Sequence, residues 1–197
     1  MAGTIAIKDI ANPVQQAKAI QGFIQPGRSE RSRPGLKHIA DLIDEGENQF
    51  VEFKSSLMWD YRRQEVNKAL YKPVMKNVVA FMNSDGGTLL IGVDDGGEVL
   101  GLEPDFQAIR KPDADGFENV FSMAFNKMVG VEFRRFVSLA FPEHNGRQVC
   151  VVTVHPSSQP AYLVHKGQEK FYIRAGNASM PLTVSQAARY IQDRFAR

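Results

Sequence analysis

From Leu36 onward the apolar positions of the chain fall into recognisable periods. In LKHIADLIDEG the residues Leu36, Ile39, Ala40, Leu42 and Ile43 recur at helical spacing, and Gly46 supplies a stop. FVEFK then switches to alternation, which predicts a strand. Phe50, Glu52 and Lys54 share one face of that strand, and Val51 and Phe53 share the other. Over 64–83 the residues Val66, Leu70, Val74, Val78 and Met82 return every four positions. Pro73 sits inside this helical pattern, so a kink or two helices is expected, the second over about 73–83. The glycines after Asp85 end it, and TLLIGV follows as a buried strand. DDGG reads as a hairpin turn, with EVLGL as the returning strand.

Residues 116–129 carry another amphipathic helix, with Phe117, Val120, Phe121, Ala124, Phe125 and Met128 along one face. FRRFVSLAF, QVCVVTVHP and KFYIRAG read as strands, PAYLVH as a short strand between the last two, and 184–195 as a closing helix. Helices and strands are mixed without strict alternation. The expected fold is α+β, a mixed β-sheet flanked by helices.

Residues 11–24 have the pattern of a short amphipathic helix, and Pro26, Gly27, Pro34 and Gly35 bracket a charged stretch that reads as a linker. This divides the chain into an N-terminal extension over 1–35, partly helical or mobile, and a domain over 36–197. At 197 residues, with 43% hydrophobic and 23% charged residues, the composition is that of an ordinary globular chain. No apolar run approaches the roughly 18–20 residues of a membrane span, and the N-terminus lacks the apolar core of a secretory leader. The single cysteine, Cys150, excludes an internal disulfide and a multi-cysteine zinc site, so a reducing cytoplasm is the expected location.

The net charge is only +2. Lys8, Lys18, Arg28, Arg31 and Arg33 outnumber Asp9 and Glu30 in the first 36 residues, which leaves the remainder slightly acidic. A nucleic-acid partner would therefore have to be met by local patches or by the basic segment RSERSRPGLK. One such patch is Lys68, Lys72 and Lys76 at intervals of four, with Arg62 and Arg63 just before, beside Trp59 and Tyr61. Cations on one face would meet phosphates and an exposed aromatic ring would stack on a base. The alternative is a solvated helix face with Trp59 packed on the core.

Glu47, Glu52, Lys54 and Asp94 form the sharpest chemical constellation. Clustered carboxylates can hold Mg²⁺ or Mn²⁺ for phosphoryl chemistry, with a lysine offsetting charge on the phosphate. The alternative makes Glu52 and Lys54 a solvated strand face and Asp94 and Asp95 turn residues. Arg174, between a strand and the turn at Gly176, would either bind phosphate or pair with a carboxylate across the sheet. The four histidines (His38, His144, His155 and His165) share no metal-ligand spacing, and Cys150 alternates with apolar residues as a buried thiol would. Neither GxxxxGK[ST] nor GxGxxG occurs, so no nucleotide cofactor is supported.

The ordered series ENQFVEFK, VVAFMNSDGGTLLIGVDDGGEVLGL, VCVVTVHPSSQPAYLV and KFYIRAGNASMPL resembles the Schlafen-type AlbA-like domain over roughly 45–195, and WDYR, NKAL and DADGFENVF look like a bacterial subgroup of it. The resemblance implies an α+β fold and binding of nucleic acid, DNA or RNA. It also implies an endoribonuclease reading, because the animal Schlafen ribonucleases cut RNA with two glutamates spaced i and i+5 around an EFK motif and an aspartate after a GGxLxIGV strand. Glu47, Glu52 and Asp94 match those positions. Under that reading the three would hold Mg²⁺ or Mn²⁺, Lys54 would assist at phosphate, and Arg62, Arg63, Lys68, Lys72, Lys76 and Arg174 would guide the backbone. Two departures stand against it. Those ribonucleases carry a cysteine-built zinc site, absent from this one-cysteine chain, and pair two lobes where this chain has one, so that a homodimer would be needed to restore their clamp. The competing class is a non-catalytic DNA-binding or regulatory module with structural carboxylates.

Overall fold

A computed structural model of the chain describes residues 38–196. The extension read over 1–35 lies outside the described residues. Helix α1 spans Ile39–Glu45 and ends at Gly46, whose φ of 67° is the left-handed conformation that glycine adopts without strain. Strand β1 (Val51–Lys54) is followed by a small hairpin, β2 (Trp59–Asp60) and β3 (Glu65–Val66), and by one 3₁₀ turn over Lys68–Leu70. Helix α2 runs over Tyr71–Met82 and leads into β4 (Gly87–Ile91).

Next come α3 (Glu103–Gln107), α4 (Ala114–Met128) and a 3₁₀ segment over Val131–Phe136. Strands β5 (Val137–Ala140), β6 (Glu143–His144), β7 (Arg147–Gln148) and β8 (Cys150–Val154) follow. The last elements are β9 (Leu163–His165), β10 (Gln168–Lys170), β11 (Tyr172–Ala175), β12 (Ala178–Pro181) and α5 (Val184–Phe195).

The central sheet has the order β1-β4-β8-β5, with β1 parallel to β4 and the other two pairs antiparallel. It is therefore mixed, as expected for an α+β chain. Alternation along its strands separates two apolar layers. Leu89, Ile91, Val152 and Val154 face α2 and α4, where Phe81, Phe117, Phe121 and Phe125 are fully buried. Leu90, Val51 and Phe53 face the opposite way, toward Ile39 and Leu42 of α1. A third cluster packs Ala187, Tyr190 and Ile191 of α5 on Phe171 and Ile173.

Three local expectations change. The break near Pro73 falls earlier: α2 starts at Tyr71, and Pro73 occupies its first turn, where an amide hydrogen has no partner in the helix anyway. Residues upstream in the apolar pattern become the β2–β3 hairpin and the 3₁₀ turn. EVLGL does not form a strand; it makes a single bridge between Val93 and Val99. The first part of FRRFVSLAF is 3₁₀, and only Val137–Ala140 joins the sheet.

Among the described residues no helix is long and apolar enough to cross a membrane.

Candidate nucleic-acid interface

Glu52 sits in register with Leu89, so its side chain points into the layer covered by α2 rather than into water. It is only 8% exposed. Three donors meet it there. Lys54 Nζ donates to Oε1 at 2.8 Å and Asn77 Nδ2, from α2, donates to the same oxygen at 2.8 Å. Arg174 Nη1, from β11, donates to Oε2 at 2.7 Å and to Ser179 Oγ at 3.2 Å. Arg174 Nη2 donates to the Asn48 carbonyl at 2.6 Å, and its guanidinium lies 4.7 Å from the Phe81 ring centroid. Ser179 Oγ closes the network by donating to Asn77 Oδ1 at 2.6 Å.

Burial pushes the Glu52 carboxyl up, but the hydrogen bonds and charges of Lys54 and Arg174 outweigh it and hold the group below its ordinary value. The Arg174 side chain is 1% exposed. It is thus a buried ion-pair partner of Glu52, which corrects its reading as a residue that touches nucleic acid. Sequence reasoning missed Asn77, Asn48 and Ser179. Asn77 had a signal: a polar residue three positions after Val74 and one before Val78, within the apolar stretch of a helix.

Glu47 and Lys54 have a second task. Strand β1 is a sheet edge, and edges with unpaired amides invite aggregation. Here the outward groups are covered by local side chains. Asn48 Oδ1 accepts from the Phe50 and Val51 amides, and the Asn48 amide donates to the Val51 carbonyl. Glu47 Oε1 accepts from the Phe53 amide at 2.9 Å, and Lys54 Nζ donates to the Phe53 carbonyl at 2.5 Å. Lys54 lies 4.0 Å from Glu47, so its charge is shared between two carboxylates.

Asp94 stands apart from this group in its bonding. Its Oδ1 accepts from the amides of Gly96 and Glu98, which makes it the organiser of its own turn. A hard divalent cation needs carboxylate oxygens directed at one point. Both Glu52 oxygens are committed to cations and an amide, Glu47 to the strand edge and Asp94 to a turn. Among the described residues no group of three or more His, Cys, Asp or Glu side chains could hold a metal ion. In this arrangement Glu47, Glu52 and Asp94 do not fit a shared Mg²⁺ or Mn²⁺.

The basic residues are placed differently. Lys72 and Lys76 stand one turn apart on α2, and Lys68 precedes them on the 3₁₀ turn. Burial lowers the Lys76 ammonium; Glu52 opposes this, while Lys54, Arg174 and Lys72 add to it. The β9–β10 hairpin lies against Lys72, and together they line a small recess with His165 and Lys170. His165 is lowered by desolvation and by the charges of Lys72 and Lys166. No carboxylate of the described residues forms an ion pair with Lys68, Lys72, Lys76, Lys166 or Lys170. The hairpin lysines were not singled out from the sequence, because only the fold sets them beside Lys72.

Lys54 also lines a cavity of about 360 Å³ whose wall includes Trp59, Tyr61 and Arg62. Arg63 is exposed and lies 3.9 Å from Glu65 across the turn. The cavity wall is held from behind by Asp105, which is 1% exposed. Its carboxylate accepts from Ser56 Oγ at 2.8 Å and from the Leu57 and Met58 amides at 3.2 and 2.9 Å. Burial raises this carboxyl, against the pull of those donors. Ser56 Oγ in turn accepts from the Trp59 amide at 2.6 Å.

Comparison with known proteins places this architecture. No curated protein matches the chain. Among solved structures, the DIP2311 protein from Corynebacterium diphtheriae matches with a TM-score of 0.53 at 16% identity, over 92% of this chain. The chain spans 32% of the length of that protein, and the likeness is one of fold. The N-terminal domain of a protein from Nitrosomonas europaea related to the ATP-dependent DNA helicase RecG matches with a TM-score of 0.46 at 24% identity. That match covers 76% of this chain and 95% of that domain. The family model described as Schlafen, AlbA_2 matches residues 47–183, from the glutamate that covers the β1 edge to the N-cap of α5. The chain belongs to the Schlafen AlbA_2 family.

Proposed function

We propose that this chain is a nucleic-acid-binding module in which Glu47, Glu52 and Asp94 are structural. The observation that carries this reading is the run of lysines from Lys76 through Lys72 to Lys166 and Lys170 on the β9–β10 hairpin, which form no ion pair among the described residues. Cations that are not held in ion pairs are the ones that displace counterions from phosphates. Family membership supports the same reading. The carboxylates resemble the ribonuclease pattern in sequence, yet their bonds serve an ion pair, a strand edge and a turn.

The test is the salt dependence of binding. Lys72→Ala combined with Lys76→Ala should weaken binding of a labelled RNA or DNA strand. It should also reduce the slope of log K against log salt by about 1.4 for a single strand, two phosphate contacts' worth. Lys127→Ala, on exposed α4 surface, should leave the slope unchanged. An unchanged slope in the double variant would sink the reading. So would Mn²⁺- or Mg²⁺-dependent cleavage of the strand that Asp94→Asn abolishes, since that would restore the endoribonuclease reading.

A further inference from the structure

We infer that the cavity beside Trp59 receives one unpaired base of the bound strand, while the backbone stays outside on the lysine run. This rests on the binding reading above and adds the part of the nucleic acid that enters the fold. The cavity, about 360 Å³, lies at the small end of the roughly 300–1,000 Å³ of ligand sites. Trp59 and Tyr61 are half-buried in its wall, with Leu70 and Pro73 as apolar neighbours. Among the described residues neither ring pairs with another ring, whereas Phe106, Phe117 and Phe141 pack edge to face. The wall thus offers aromatic surface that no other ring of the described residues covers. A flat base is the ligand that stacks on such surface without regard to sequence.

The wall is also stiff. Asp105 and Ser56 hold the Trp59 segment, and Asp60 Oδ1 accepts from the Arg62 and Arg63 amides while Oδ2 accepts from Asn67 Nδ2. A preformed wall loses little entropy on binding.

Charge decides which part of a nucleotide enters. Asp60 and Asp95 both line the cavity, and no described residue pairs with Asp95. Lys54 and Arg62 line it too, so the charges of the wall balance and offer a phosphate no net positive charge inside; a neutral base goes in, and the phosphates remain with the surface lysines. In a duplex the bases are stacked and paired, and entry would require unstacking. The preferred ligand is therefore a single strand, or a loop with an unpaired base.

Trp59 is the chain's one tryptophan, so its emission reports the site directly. Short single-stranded RNA and DNA should quench that emission saturably in the full chain, and a duplex of the same sequence should quench less. Trp59→Ala should weaken single-strand binding by about 5- to 150-fold, the value of one stacked base. Trp59→Phe, which keeps a ring in the wall, should retain most of the affinity. Unchanged emission together with full affinity in Trp59→Ala would overturn the cavity assignment and leave the lysine-run reading standing. Quenching by AMP or ATP with an affinity equal to that of the strand would also overturn it, because the site would then serve free nucleotides. If no strand binds the unaltered chain at all, the binding reading and this inference fall together.

Discussion

Arg174→Ala is expected to lower stability by about 3–5 kcal/mol, the cost of leaving a buried charge without its partner. In a chain of this size that corresponds to a fall in Tm of about 6–20 °C. The guanidinium is the only donor to Glu52 Oε2 among the described residues, and its loss also releases the Asn48 carbonyl and Ser179. The double variant Glu52→Gln/Arg174→Met removes both charges while keeping much of the volume. It should recover part of the loss, because no unpaired charge is then left buried. Equal losses in the single and double variants would assign the effect to packing on Phe81 instead.

The same pair has a pH signature. The folded value of the Glu52 carboxyl lies below its ordinary 4.5, so its contribution is fully present above pH 4.5 and is lost as pH falls through the folded value. Denaturant unfolding at a series of acidic pH values should show this slope in the unaltered chain. In Arg174→Ala the slope should be shallower, since only Lys54 and Asn77 then oppose the desolvation of Glu52.

Asp105→Ala is the second large effect, expected to cost about 3 kcal/mol or more. It strips the acceptor from Ser56 Oγ and from the Leu57 and Met58 amides, and hydrogen bonds to a charged group are worth about 1.5–3 kcal/mol each though they do not add simply. Asp105→Asn should cost less, because one oxygen remains to accept. The pH signature runs opposite to that of Glu52. Its folded value is raised above 3.8, so the group's contribution is greatest below pH 3.8 and declines as pH rises through the folded value. Asp105 also ties this cost to binding. The segment it holds carries Trp59, so a folded Asp105→Asn variant should quench less completely on adding a single strand. Full retention of both stability and quenching would show that Ser56 alone sets the wall.

Much of the framework is readable from periodicity. The apolar face of α4 and the span of α5 lie where their spacing places them, and the switch from helical to alternating pattern locates β1, β4 and β8. The errors have local causes. EVLGL has strand-like residues, but Gly92, Gly97 and Gly101 all take positive φ and turn the chain away after one bridge. The lysine spacing across Pro73 suggests one face; the 3₁₀ turn before α2 takes Lys68 off the helix and leaves Lys72 and Lys76 on it.

The candidate site was legible in its residue types and not in their roles. Glu47, Glu52, Lys54 and Asp94 were visible as a charged constellation. A sequence records spacing along the chain, whereas the protonation and function of a carboxylate depend on donors arriving from elsewhere. Asn77 lies 25 positions from Glu52, and Arg174 lies 122 positions away. Their arrival turns a possible metal ligand into one half of a buried ion pair.

By itself, then, the sequence determined the main helices and central strands, the α+β class and the family, because each follows from short-range periodicity and from ordered motifs within one chain. Tertiary structure alone decided which charges are spent and which remain. It buried Arg174 against Glu52, turned Glu47 and Lys54 to the β1 edge, and set the β9–β10 lysines beside Lys72. The reason is electrostatic: a charge's availability to a ligand depends on the desolvation and counter-charges around it, which only the folded chain assembles.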